Sequence, residues 1–237
     1  MIPKVIHYCW FGRNPLPKDV EKCIESWKKY CPDYEIKRWD EDNFDINCHP
    51  FVKEAYEQKA WAFVSDYARL KVVLDNGGIY FDTDVELLKS PDFLLKHSAY
   101  MGVEQIKKLC TTGLGFGAEK GNEVIEKMLK KYDGKSILES GRDALACPYL
   151  NNAVCEEYGY KYGEDIQDLG KIVIYPPKYF DPVSLGDSQY LLCEDSVSIH
   201  HYAATWTSKS NRLKRKLFRF IGEDKIHKLK QLLKRAK

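Results

Sequence analysis

The chain has 237 residues, of which 44% are hydrophobic, 30% charged and 13% aromatic, with a formal net charge of +2. That size and hydrophobic share suit one substantial core, in one domain or at most two, and exclude wholesale disorder. No run of about 20 apolar residues occurs, so no membrane-spanning helix is expected.

The small net charge hides an asymmetry. Residues 209–237 hold 12 of the 37 Lys and Arg against two acids, Glu223 and Asp224, so a basic tail follows an acidic body. Such a split signals a charged partner surface. Eight cysteines (Cys9, Cys23, Cys31, Cys48, Cys110, Cys147, Cys155 and Cys193) are scattered with no C-x-x-C pair, which argues against a zinc ribbon or a redox motif. With no export signal ahead of them they read as reduced, mostly buried thiols.

In chain order, Lys4 to Phe11 is a short apolar β-prone run closed by Gly12 and Pro15, a first buried strand. Val20, Ile24 and Trp27 then recur at helical spacing over residues 17–30, and Pro32 stops the helix. Tyr34 to Trp39 alternates as a strand. Asp40 to Asn47 is turn-rich, and Pro50 to Lys59 opens another helix. Trp61 to Leu74 is a mostly apolar helix ended by Asn76-Gly77-Gly78, where a C-cap needs left-handed backbone. Ile79 to Asp82 follows as a strand. Helix, glycine turn, strand, then acids at the strand's C-terminal end is α/β grammar, and ligands in such folds sit at those strand ends.

Further strands are expected at Ala99–Val103, Leu114–Ala118, Lys171–Tyr175 and Val197–Tyr202, with a helix over Asn122–Tyr132. The tail divides at Gly222 into two amphipathic pieces. Leu213, Leu217, Phe220 and Ile221 share one face, and Ile226, Leu229, Leu232 and Leu233 share the next, with basic residues between.

Asp82-Thr83-Asp84 leads the candidate chemistry. Two carboxylates at i and i+2 at a strand end can turn toward one hard cation, and oxygen ligands of that kind suit Mn²⁺ or Mg²⁺ bridging to phosphate. A lone D-x-D is usually a pair of solvated loop acids; here the apolar strand and the Gly77-Gly78 turn ahead of it raise its standing. Asp66 and Arg69 stand at i, i+3 on the apolar helix, either as a buried ion pair or as a grip on sugar hydroxyls. Trp10 reads as core or as a base-stacking ring. His200 and His201 close the set; adjacent strand residues face opposite ways, so at most one reaches a shared metal. There is no phosphate-binding glycine loop and no nucleophilic-serine motif.

Taken together, Ile2 to Gly12, Ala62-Phe-Val-Ser-Asp-Tyr-Ala-Arg69, Leu74-Asp-Asn-Gly-Gly-Ile-Tyr-Phe-Asp-Thr-Asp84 and His200-His-Tyr-Ala-Ala-Thr-Trp206 resemble glycosyltransferase family 32. The central block also looks like the core of the clostridial glucosylating toxins. The resemblance implies an α/β, Rossmann-like GT-A fold over residues 1–208; the helical spacing read above adds basic amphipathic helices over 209–237. It implies a retaining transfer of a hexose or N-acetylhexosamine from a nucleotide sugar to a glycan acceptor, with Mn²⁺ or Mg²⁺ as cofactor. UDP-Gal, UDP-Glc or UDP-GalNAc is the favoured donor and GDP-mannose the alternative. Carried over by position, Trp10 stacks on the base, and Asp66 and Arg69 hold the donor sugar. Asp82 contacts ribose, sugar and metal, and Asp84 binds the metal. His201, or His200, is a further metal or diphosphate ligand, and Trp206 lies beside the leaving diphosphate. Asn151 and Asn152 are candidate sugar contacts in a stretch where Cys147-Pro148 replaces the Gly-Pro common among relatives.

Because the first strand begins at residue 2 with no anchor ahead of it, a cytoplasmic bacterial enzyme of capsular or other surface polysaccharide synthesis is expected. Its tail would lie on the anionic inner leaflet, near lipid-linked acceptors. No nucleic-acid partner is expected, since the basic residues interleave with Leu and Ile at helical spacing. Two rivals stand beside this reading. A haloacid-dehalogenase-type phosphatase is disfavoured by Glu86, and the other is a non-catalytic membrane-binding protein.

Overall fold

In the computed structural model, residues 1–140, 145–184 and 189–203 are described. The tail 209–237 and Trp206 lie outside the described residues. Among those residues the main sheet has seven strands in the order β2-β1-β3-β6-β5-β8-β7. They are β1 (Val5–Cys9), β2 (Glu35–Trp39), β3 (Gly78–Tyr80), β5 (Ala99–Val103), β6 (Cys110–Ala118), β7 (Gln167–Asp168) and β8 (Val173–Tyr175). A two-stranded ribbon of β4 (Val85–Leu87) and β9 (Ser198–His200) stands beside it. The helices are α1 (Lys18–Tyr30), α2 (Pro50–Glu57), α3 (Trp61–Asn76), α4 (Glu123–Lys130), α5 (Ile137–Ser140), α6 (Cys147–Glu157) and α7 (Pro177–Phe180).

The sheet is mixed. β1 runs parallel to both β2 and β3, and β5 parallel to β8, while β6 is antiparallel to β3 and β5, and β7 to β8. Successive strand residues face opposite ways, and two buried clusters result. Tyr80 and Met101 pack with residues of α2, α3, α4 and α6, such as Phe51, Val64, Ile125 and Val154. Ile79 and Tyr100 pack on the other face with Trp27 of α1, Leu87 of β4 and Phe180 of α7. Layers of helix on both faces of one sheet are the expected α/β sandwich.

The turn that launches β3 is fixed locally. Gly77 adopts φ +69 and caps α3 through its N–H to Val73 O at 2.8 Å, and Gly78 adopts φ +114. A Cβ on Gly78 would lie 2.8 Å from both His7 Nε2 and Val5 O, so only glycine fits against β1. His7 is fully buried; its Nε2 lies 2.8 Å from Gly77 O, and its Nδ1 accepts from the Trp39 indole at 3.0 Å. Those partners define a neutral imidazole with the proton on Nε2, and burial holds its pKa below the usual histidine value. This histidine is a strut for the glycine turn.

Several boundaries differ from the sequence expectation. β3 stops at Tyr80, so the acidic pair sits in the link between β3 and β4 and not on the strand itself. β4 was missed because three residues carry too little periodicity to read. β6 is longer than Leu114–Ala118, and its pairing with β5 shifts between Met101 and Gly102: Met101 pairs with Phe116, then Gly102 with Thr111. Thr112 to Gly115 therefore arch away from β5. Six of the eight cysteines are buried, with Cys48 and Cys193 exposed. No described helix is long and apolar enough to cross a membrane.

Candidate active site

Asp66 and Arg69 lie on the buried face of α3, 8% and 4% exposed. A helix that is apolar nearly all round places charged groups out of water only when they are paired. Arg69 supplies the pairing. Its Nε donates to Ser65 O at 3.1 Å within the helix, and its Nη2 lies 3.0 Å from Asp66 Oδ1 and 3.1 Å from Asp82 Oδ1. Nη1 reaches Asp82 Oδ2 at 3.4 Å, and the guanidinium lies over the Tyr80 ring, 5.0 Å from its centroid. The Tyr80 hydroxyl donates to Asp82 Oδ1 at 3.0 Å. Asp82 is thus held on both oxygens, and Arg69 spends its nitrogens on carboxylates of this chain.

Gly113, on the arched part of β6, closes the other side. A Cβ there would meet Asp82 Oδ2 at 2.9 Å and Arg69 Nη1 at 3.5 Å. The arch carries Thr112 as well, whose Oγ1 accepts from Asn151 Nδ2 at 3.0 Å and donates to Cys147 Sγ at 4.0 Å. The Cys147 thiol in turn neighbours Asp66.

Asp84 is supported differently. Its Oδ2 accepts the Ala203 backbone N–H at 2.7 Å, and its Oδ1 lies 3.1 Å from His200 Nε2. Its carbonyl accepts the His201 N–H at 2.9 Å. The ribbon register explains which histidine arrives. Val85 pairs with His200 and Glu86 with Ile199, so His201, two residues after Ile199, shares the face of Glu86. His201 Nε2 accordingly lies 2.8 Å from a Glu86 carboxylate, with both side chains well exposed. His200 is turned to the acidic pair; His201, placed first among the histidines from sequence, is turned away from it.

Ligand atoms of Asp82, Asp84 and His200 all lie within 4.8 Å of one another. Two carboxylate oxygens and one imidazole nitrogen, brought this close in a partly buried setting, fit a divalent cation with oxygen preference that tolerates nitrogen.

The electrostatics divide the acids. Burial pushes Asp84 up, but the His200 charge and hydrogen bond and the Ala203 N–H outweigh it and hold the carboxyl at about 2. Burial raises Asp82 against the opposing pull of Arg69, with the Asp84 charge adding to the rise. Burial drives Asp66 up to about 6, with Arg69 working against it. Burial alone would lower Arg69, yet Asp82, Tyr80 and Asp66 hold its pKa well above the ordinary value, so it stays cationic. For His200, burial lowers and Asp84 more than restores, leaving the pKa raised.

Trp10 follows β1, half-buried, at the same C-terminal sheet edge as the acidic pair. Its indole N–H donates to Asn14 O at 2.7 Å and its backbone N–H to Trp39 O at 2.8 Å. Asn151 is fully buried and its Oδ1 has no partner among the described residues. Asn152 is occupied structurally: its Oδ1 accepts the Cys110 N–H at 3.0 Å, and its Nδ2 donates to Glu156 at 2.8 Å. Tyr80, Thr112 and Gly113 were not singled out from the sequence. The signal was present in Gly113-Leu-Gly-Phe-Gly117, because alternate glycines in a strand mark close approach of other groups.

A mixed α/β sandwich with acids just past the end of a parallel strand is the frame of the GT-A glycosyltransferases, and the PaToxG glycosyltransferase shares it. That solved structure aligns with TM-score 0.54 at 20% identity, over 66% of this chain and 69% of its own. More particularly, residues 17–101 match the family described as "Glycosyltransferase sugar-binding region containing DXD motif". An uncharacterised glycosyltransferase of Acanthamoeba polyphaga mimivirus is 28% identical over 221 residues, 87% of this chain and 84% of that protein. Inositol phosphoceramide mannosyltransferase 3 of Schizosaccharomyces pombe is 26% identical over 133 residues, 54% of this chain but only 36% of the yeast protein. The resemblance and the GT-A fold read from the sequence are both borne out.

Proposed function

We propose that this chain is a divalent-metal-dependent glycosyltransferase that transfers a hexose or N-acetylhexosamine from a nucleotide sugar to a glycan acceptor with retention of configuration. The observation that carries the reading is the convergence of Asp82, Asp84 and His200 within 4.8 Å at the sheet edge, with both acids inside the stretch that matches the DXD family. These three residues would hold Mn²⁺ or Mg²⁺, and a cation bound there supplies Lewis-acid neutralisation of the diphosphate as the sugar departs.

The chain's own groups do the positioning. Arg69 keeps Asp66 and Asp82 ionised enough to accept hydrogen bonds from the donor, and Tyr80 fixes the rotation of Asp82. Asp66 receives a sugar hydroxyl once it has lost its proton. Trp10 offers its ring face to the base. Asn151 turns its unpartnered Oδ1 to the donor sugar. Trp206 keeps the role that the resemblance implies, and the segment 209–237 would lie on an anionic bilayer near a lipid-carried acceptor, a reading that its amphipathic basic pattern supports. The setting is surface-polysaccharide synthesis on the cytoplasmic face of a bacterial membrane.

UDP-sugars are the first donors to test. A second reading, GDP-mannose, is favoured by the similarity to a protein named as a mannosyltransferase. The test is nucleotide release from UDP-Gal, UDP-Glc, UDP-GalNAc and GDP-mannose, with and without EDTA. Release that EDTA abolishes and Mn²⁺ restores is the expected result; full release in EDTA removes the metal role, and no release from any donor removes the transfer reading.

A further inference from the structure

A second group of buried polar atoms lies beside the His200 imidazole, apart from the acidic pair. Asp181, directly after α7, is fully buried. Its Oδ2 accepts the Gln105 backbone N–H at 2.8 Å, and its carbonyl accepts from the Gln105 side-chain amide at 2.7 Å. Its Oδ1 has no partner among the described residues. Glu104, directly after β5, likewise buries an Oε1 without a partner, and on His200 the nitrogen not used by Asp84, Nδ1, is buried and unpartnered too.

These groups are electrostatic neighbours. Burial pushes the Asp181 and Glu104 carboxyls up, and the His200 charge draws both down. The Tyr202 ring packs on the imidazole at a centroid distance of 4.1 Å. The Tyr202 and Ser184 hydroxyls stand near enough to lower Asp181 without reaching hydrogen-bond geometry on Oδ1.

Buried polar atoms in folded proteins are nearly always satisfied, so three unsatisfied ones on three separate segments call for a shared polar occupant. A cation would find too few ligands here. Among the described residues, only Asp82, Asp84 and His200 bring ligand atoms within 4.8 Å of one another, and Glu104 and Asp181 stand outside that group. A phosphate is the wrong charge, since two carboxylates repel it. A neutral molecule carrying several hydroxyl donors satisfies both carboxylate oxygens across a wider span.

We propose that Glu104 and Asp181 form the acceptor subsite, accepting hydrogen bonds from hydroxyls of the sugar that receives the transferred residue. The inference rests on the glycosyl-transfer reading above. It assigns acceptor recognition to the segments after β5 and α7, leaving the metal to the β3–β4 link and His200 of β9, and the donor to α3, Trp10 and Asn151.

The test uses the full chain with Mn²⁺, the donor it cleaves fastest, and methyl α- and β-glycosides of glucose, galactose and mannose as acceptor probes. At least one glycoside accelerates nucleotide release with a saturable KM. Asp181→Asn and Glu104→Gln each raise that KM by about tenfold or more, the usual effect of losing a hydrogen bond to a charged group. The Kd for UDP with Mn²⁺, read by calorimetry, stays within about twofold in both variants, because neither touches the donor side. An asparagine at position 181 still accepts the Gln105 N–H, and should one variant misfold, the other carries the test. Three results overturn the assignment: KM unmoved in both variants, a UDP Kd that rises in step with KM, or no acceleration of wild type by any glycoside. Wild type that releases no nucleotide from any donor sinks the transfer reading itself.

Discussion

Replacing Arg69 by methionine keeps an unbranched apolar stem and removes the guanidinium with its charge. Arg69 lies 3.0 Å from Asp66 and 3.1 Å from Asp82, with its side chain 5% exposed and those of the two acids 11% and 24% exposed. Breaking a buried pair by deleting one partner costs about 3–5 kcal/mol, because a charge is left uncompensated in a poor solvent. For a chain of this size each kcal/mol moves Tm by about 2–4 °C, so Arg69→Met lowers it by about 6–20 °C. The loss depends on pH with a definite sign. Burial already pushes the Asp66 carboxyl up to about 6, above the usual carboxylate range. A carboxyl with a raised folded pKa gives stability that is complete below the unfolded value and is lost as pH rises through the folded one. Without Arg69 that value climbs further, so the deficit against wild type is smaller at pH 5 than at pH 8. Urea unfolding at both pH values measures it. Adding Asp66→Asn to Arg69→Met recovers about 1–3 kcal/mol at pH 8, the coupling expected of residues in one network. A deficit below about 1 kcal/mol, or one indifferent to pH, refutes the account of Arg69 as the counterion of this site.

Gly113→Ala leaves Tm within about 4 °C, because φ there is ordinary and the obstruction is a side-chain end, but weakens Mn²⁺ by about tenfold through the displacement of Asp82. Calorimetry reads both, and unchanged affinity counts against Asp82 as a ligand. His200→Ala weakens Mn²⁺ by at least about tenfold, while His201→Ala, which breaks only an exposed pair with Glu86, changes it little; the reverse ranking would restore His201 as the ligand. Trp10→Ala weakens UDP by about 5–100-fold, the worth of one base–aromatic stack, without moving Mn²⁺ affinity. Equal affinity for UDP in that variant makes Trp10 a packing residue.

What could be read from the chain before its fold was known follows the range of the interactions. Asp66, Arg69, the Gly77-Gly78 turn and Asp82 fall within one helix–turn–strand unit, and local spacing reveals them because helix periodicity, a left-handed cap and a strand end are all local rules. The same spacing said that only one of His200 and His201 could join the metal group, but not which. That choice depends on Val85 pairing with His200 across the ribbon, a register set by partners more than a hundred residues away. The alternate glycines from Gly113 signal a close approach but not what approaches, for a related reason: the arch in β6 exists only against β5, and nothing local reports the shift between Met101 and Gly102. Asn152 shows the opposite error, a candidate sugar contact whose amide is spent on the Cys110 N–H and Glu156.

The ribbon of β4 and β9 has one further consequence. β4 is fastened to α1, where the Trp27 indole donates to Val85 O at 2.8 Å and Ser26 Oγ accepts the Leu87 N–H at 2.9 Å. β9 is held by three residue pairs to β4 and by the Val197 N–H to Tyr179 O at 2.7 Å. On the proposed reading a cation shared by Asp84 and His200 is a removable staple between positions 116 apart in sequence. It adds stability by binding the folded arrangement, whereas a disulfide acts by constraining the unfolded chain, and so it comes and goes with ionic conditions. Hydrogen exchange at Ser198–His201 then slows when the ion binds, so the tightness of the C-terminal segment reports on the readiness of the catalytic centre.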